Sequence, residues 1–126
     1  MESQRITEEA INIKEYINDK WPYFEVNLER RLSELFPEPS NVGLKHIWKY
    51  GSADLSIFLK DELIAVIEPG GSHHFNDERQ VKNDRRKWKL CDINGVNCLF
   101  ILNGVLNRLS NRRRRSLIGR YLFGVK

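Results

Sequence analysis

Cysteine is scarce in this chain: Cys91 and Cys98 are the two it has, one in a helix candidate and one in a strand candidate. Neither has metal-ligand spacing around it, so a disulfide scaffold and a cysteine-based zinc finger are both excluded. Long apolar runs are missing too. No stretch approaches the roughly 18 apolar residues of a membrane-spanning helix. The opening MESQRITEEA lacks the basic flank and apolar run of a secretory signal. Two core thiols in a reducing compartment, and hence a cytoplasmic setting, are expected. There are no internal repeats or low-complexity linkers, and no basic zipper or aromatic RNA-binding signature. What remains is a 126-residue chain, enough for one domain with a real core.

Charge is abundant and unevenly spread. Residues 1–40 carry nine acids against five bases, whereas residues 41–126 carry sixteen bases against eight acids. A basic face meeting nucleic acid suits that asymmetry.

Hydrophobic periodicity predicts an α/β domain. Thr7 caps a first helix whose Ile6, Ala10, Ile13 and Ile17 recur at helical spacing. A second helix is expected over Tyr23–Phe36, with Phe24, Leu28, Leu32, Leu35 and Phe36 as its stripe and Pro37 and Pro39 as its stop. Glu25 and Glu29 would lie one turn apart on it. Alternation over Val42–Tyr50 suggests a strand. Ala53–Leu59 and the apolar Leu63–Ile67 suggest two more, joined by the polar turn Lys60-Asp61-Glu62. A long helix is expected over Asn76–Asn94 with Gly95 as its C-cap. In it Val81, Trp88, Leu90 and Cys91 form the apolar side, and the charges, Lys87 among them, are solvated. Val96–Leu102 reads as a buried strand parallel to the central one, and Ser110–Phe123 as a last helix. The expected order is helix, helix, three strands, helix, strand, helix.

Within this frame Asp54 interrupts the start of one strand and Glu68 ends the next. Six residues separate each of them from Asp61, so a hairpin about that turn brings the two acids together. Carboxylates at the mouth of buried strands need a cation or hydrogen bonds to offset their desolvation. Together they can hold one hard cation such as Mg2+ or Mn2+, with the Pro69 carbonyl as a further ligand. Such an ion lowers the pKa of a bound water and offsets charge on a phosphate, as phosphodiester hydrolysis requires. Pro69-Gly70-Gly71 lets backbone approach a ligand closely, but no Gly-Lys-Ser/Thr follows to make a P-loop. His73 and His74 come next as candidate proton shuttles or phosphate contacts.

These residues resemble the PD-(D/E)xK nuclease superfamily, and most closely its branch related to very-short-patch repair endonucleases and the DUF559 and DUF2726 domains. Asp54 stands where that family has its first acid. Glu68, Gly71 and His74 fit its second pattern, Asp84 and Lys87 its helix pattern, and Gly95 its closing glycine. Glu25 resembles the glutamate supplied from the preceding helix. The resemblance spans roughly residues 22–103 of a single domain covering 1–126, with a basic C-terminal helix at about 110–123. It implies a restriction-endonuclease-like α-β-β-β-α-β core, a mixed four-stranded sheet flanked by helices with one extra helix at each end. It also implies a magnesium-dependent deoxyribonuclease leaving a 5′-phosphate and a 3′-hydroxyl. Asp54, Glu68 and Pro69 would hold the metal, and His74, Lys87 and Glu25 would assist. One departure matters: Gly70 occupies the usual lysine position, so that role would pass to His74, Lys87 or Lys82. If Gly70 silences the site, the alternative is a catalytically inactive DNA-binding subunit of a larger complex.

Lys82, Arg85, Arg86 and Lys89 on the long helix, with Arg112, Arg113, Arg114 and Arg115 on the last, would form a phosphate-binding rim if both helices flank the acids. Trp48 and Trp88 sit in apolar stripes, which favours core packing over base stacking. With no base-reading module present, the expected partner is DNA cut nonspecifically or by structure, such as branched or flapped forms, and a homodimer would act on both strands.

Overall fold

The computed structural model describes residues 8–70, 78–102 and 111–122. The elements in chain order are α1 (Glu8–Lys20), β1 (Glu25–Arg31), α2 (Leu32–Leu35), α3 (Val42–Tyr50), β2 (Ser52–Leu59) and β3 (Glu62–Gly70). Then come α4 (Glu78–Ile93), β4 (Asn97–Leu102) and α5 (Asn111–Leu122). The strands form one mixed sheet in the order β1-β2-β3-β4, antiparallel except for the parallel pair β3 and β4. Thr7, Gly71, His73 and His74 lie outside the described residues.

Two of the expected elements are exchanged. Tyr23–Phe36 is not a helix: Glu25–Arg31 forms the edge strand β1, and only Leu32–Leu35 is helical. Val26 is buried and Leu28 packs on the same core, alternating with polar Glu25, Asn27 and Glu29. Pairing along β2 settles a segment whose apolar residues also fit a helical stripe. Val42–Tyr50, in turn, is a helix and not a strand. Leu44 and Ile47 are buried three residues apart, while Val42 is 79% exposed. The Asn41 side chain accepts the Gly43 N–H at 2.8 Å and so caps the helix start. The first of the three consecutive strands expected from sequence is therefore the helix α3, and the strand that pairs with β2 in its place is β1, before α2. The helix over α4, the parallel β4 and the last helix stand as expected.

Both faces of the sheet are covered. On one face α1 and α5 bury Ile13, Ile17, Ile118 and Leu122 against Leu55, Ile57, Ile67 and Leu99. On the other, α2, α3 and α4 bury Leu32, Leu44, Ile47, Leu90 and Cys91 against Val66. Gly51 joins α3 to β2 at close quarters. Its N–H donates to the Ile47 carbonyl, its own carbonyl accepts from Leu32, and a Cβ there would lie 2.6 Å from the Ile47 oxygen.

The β2–β3 hairpin sets the register at the acids. Lys60 and Asp61 both have positive φ, 52° and 68°, and close it as a two-residue turn pairing Leu59 with Glu62. Left regular, that turn would set Asp54 across from Ile67. Between Phe58↔Leu63 and Ile57↔Ala65, however, Ile64 is extra. This bulge advances β3 by one residue, so the pairing becomes Leu55↔Ile67 and Asp54 comes level with Glu68.

Candidate active site

Asp54 and Glu68 thus face each other from adjacent strands. Glu68 is 5% exposed. The Asp54 backbone N–H donates to its Oε2 at 2.8 Å, and the Lys87 Nζ donates to its Oε1 at 2.7 Å. Past Leu55↔Ile67 the ladder between β2 and β3 stops, because the Asp54 amide has turned to a carboxylate. Pro69, which has no N–H, falls in this part of β3, where β4 is the remaining ladder neighbour.

Lys87 reaches Glu68 because α4 is rotated from its expected orientation. Lys87 is buried beside Leu90 and Cys91, while Trp88 is 48% exposed. One residue step turns a helix by about 100°, enough to exchange the two. Lys87 stands three and four residues before Leu90 and Cys91, so its place on the buried stripe could be read from spacing alone. Its charge argued against that.

The electrostatics couple Glu68 to Lys87 and Asp54. Burial pushes the Glu68 carboxyl up to about 7, with Lys87 pulling it down and the Asp54 charge adding to the rise. Burial pulls Lys87 down, but Glu68, Asp54 and Asp84 outweigh it and hold the ammonium above its ordinary range. Glu68 and Lys87 form a buried ion pair, and the Asp54 charge acts on both of them. Among the described residues no three His, Cys, Asp or Glu side chains gather as a self-sufficient metal cluster. A hard ion here would rest on Asp54, Glu68, backbone oxygen and water, a set that suits Mg2+.

The remaining expected residues divide. Glu25 does not join the site. It pairs with Phe58 near the hairpin turn, four residues along β2 from Asp54 and so about 13 Å away. The residue that falls level with Asp54 is Glu29, between Leu28↔Leu55 and Arg30↔Ala53, where its φ of 49° takes it out of the ladder. Asp84 accepts from the Gln80 side chain at 3.0 Å, one turn before Lys87. Lys82, Arg85, Arg86 and Lys89 are exposed on α4.

Arg112, Arg113 and Arg115 are exposed on α5, which packs on the opposite face of the sheet. Arg115 lies over the Trp21 ring at 5.7 Å. Trp21 precedes β1, toward the hairpin end of the sheet and away from the acids. The single rim of two basic helices is therefore not formed. Arg114 belongs to the same helix, and its side chain lies outside those described.

Trp48 is held internally, its Nε1–H donating to the Phe36 carbonyl at 2.9 Å. Cys91 is buried with its thiol against Cys98, and that contact, with burial, pushes the Cys98 thiol far up. Neither thiol is placed to act as a nucleophile. Ser56, two residues from Asp54, is fully buried, and its Oγ has no hydrogen-bond partner among the described residues.

Comparisons of the chain with protein-family models, with curated proteins and with solved structures found no match. Among the described residues no helix is long and apolar enough to cross a membrane.

Proposed function

We propose that this protein is a metal-dependent, restriction-endonuclease-like DNA endonuclease that hydrolyses phosphodiester bonds without reading base sequence. The observation that carries this reading is the convergence of Asp54, Glu68 and Lys87 from three elements, with Lys87 Nζ 2.7 Å from Glu68. The order of strands and helices around them, with β3 and β4 parallel across α4, supports the same reading. Lys87 brings an ammonium from the helix where Gly70 leaves none on the strand, which supports the same reading.

Asp54, Glu68 and the Pro69 carbonyl would hold Mg2+ or Mn2+, which supplies charge neutralisation at the phosphate and a more acidic water when bound. The Asp54 amide and Lys87 fix both oxygens of Glu68, so the carboxylate is oriented before any ligand arrives. Lys87 orients water toward the phosphorus and offsets the charge that grows on the phosphate oxygens. Lys82, Arg85, Arg86 and Lys89 grip backbone phosphates from the exposed side of α4.

The test is cleavage of linear, flapped and four-way DNA with Mg2+ or Mn2+. Asp54→Ala and Glu68→Ala should each lower the rate by about a hundredfold or more, and Lys87→Ala by a similar factor. Unchanged product from both acid variants would remove the catalytic assignment. Gly70 favours one other reading, an inactive DNA-binding subunit. DNA retention with no metal-dependent product from the wild type in any format would select it.

A further inference from the structure

Two aromatic side chains stand in solvent on the helices of the acid-bearing face. Tyr50 is 68% exposed at the end of α3, and Trp88 is 48% exposed on α4. Both are tied to the site through the chain. Tyr50 comes four residues before Asp54, within about 13 Å along extended backbone, and Trp88 directly follows Lys87. Neither is spare core. Trp21 and Trp48 are buried or bonded inside the fold, whereas Trp88 looks outward. The Tyr50 ring has the His46 ring at 4.9 Å, tilted by 50°, and the Lys49 ammonium at 5.5 Å.

The exposed charge on α3 and α4 is mostly basic. Lys49, Lys82, Arg85, Arg86 and Lys89 are exposed on these two helices, as is Lys45, which pairs with Glu38 at 3.7 Å; α3 itself carries no acid. On α4 the exposed acids are Glu78 and Asp92. Bases alone would suit any phosphate backbone. Exposed flat rings among them add something a duplex cannot use, because its bases are already stacked on one another. An unpaired base has a free π-face, and stacking it on an aromatic ring is sequence-tolerant.

We infer that the acid-bearing face takes single-stranded nucleic acid, or the unpaired arm of a flap, with bases stacking on Tyr50 and Trp88 while the lysines and arginines follow the backbone. The inference rests on the nuclease reading for its polyanionic substrate and names the strand form that this reading leaves open.

The test is binding in EDTA, where no cleavage intervenes. Fluorescence anisotropy would compare an oligothymidylate of about twelve nucleotides with a duplex of equal length, a span typical of such sites. The wild type should prefer the single strand by about tenfold. Tyr50→Ala and Trp88→Ala should each weaken single-strand binding by about fivefold or more and leave duplex binding within about twofold. Trp88→Phe should restore much of the loss. Lys82→Ala should weaken both forms alike. Quenching of tryptophan emission by the oligonucleotide should vanish in Trp88→Ala.

Equal losses on both forms, or none on either, would overturn the inference. So would sedimentation showing a wild-type dimer that Trp88→Ala dissociates, since a second copy would then cover the ring. Cleavage by Glu68→Ala, assayed separately with Mg2+, tells the two readings apart. Its persistence counts against the catalytic site alone, and lost strand preference counts against the stacking surface alone.

Discussion

Stability and the proposed chemistry meet in the side chains of Glu68 and Lys87. A carboxylate this buried tolerates charge only beside a cation, and among the described residues Lys87 is the one it touches. Lys87→Met should therefore cost about 3–5 kcal/mol when Glu68 stays charged. Lower pH should relieve the loss by protonating Glu68, and Mg2+ should stabilise this variant more than the wild type. Thermal unfolding at several pH values, with and without the ion, checks both. The wild type carries its own pH signature. Glu68 titrates at about 7 in the folded protein against an ordinary 4.5. Its raised pKa adds stability that is full below about 4.5 and is lost as pH rises through 7. Against its burial, Lys87 is held up chiefly by the Glu68 charge, so the two groups titrate as a pair. Urea denaturation should show wild-type stability falling between these values and a flatter profile for Glu68→Gln.

At the scale of elements, the hairpin explains what the sequence could and could not reveal. The equal spacing of Asp54 and Glu68 about Asp61 pointed to the correct pair, although the turn is Lys60–Asp61 and the remaining residue is absorbed by the Ile64 bulge. Strong local patterns were legible: the apolar run of β3, the C-cap at Gly95 with its φ of 72°, and the parallel return of β4. β1 and α3 were not, because Phe24, Leu28 and Leu32 fit a helical stripe as well as strand alternation, and Val42, Leu44, His46 and Trp48 mimic a strand. Tertiary pairing and the Asn41 cap decided those segments. Glu25 falls outside the site for the same reason, since a strand carries it to Phe58. The bulge makes a length prediction. Deleting Ile64 leaves a regular two-residue hairpin with Asp54 still across from Glu68, so metal-dependent cleavage should survive within about tenfold once folding is verified by circular dichroism. Deleting Phe58 draws Asp54 across from Ile67 and parts the acids onto opposite faces. Cleavage should then be lost by about a hundredfold or more.

The whole molecule is a sheet with different business on its two sides. The helices of the acid-bearing face include α4 and its bases, whereas α5 seals the other core with Ile118 and Leu122. Salt titrations of DNA binding should separate them. Replacing Lys82 and Arg85 by alanine should weaken binding and reduce the slope of log affinity against log salt by about one for each phosphate no longer neutralised. Replacing Arg112 and Arg113 should leave the affinity of the acid-bearing face within about twofold, and Arg115→Ala should instead cost about 0.5–1 kcal/mol of fold stability through its contact with Trp21. The same division decides how the protein can be handled. Ser116 is exposed on α5, while Cys91 is buried and Cys98 is held in its thiol form. The substitution Ser116→Cys would thus give a natural anchor for a dye or a bead, and a molecule tethered there would present its acids to whatever flows past.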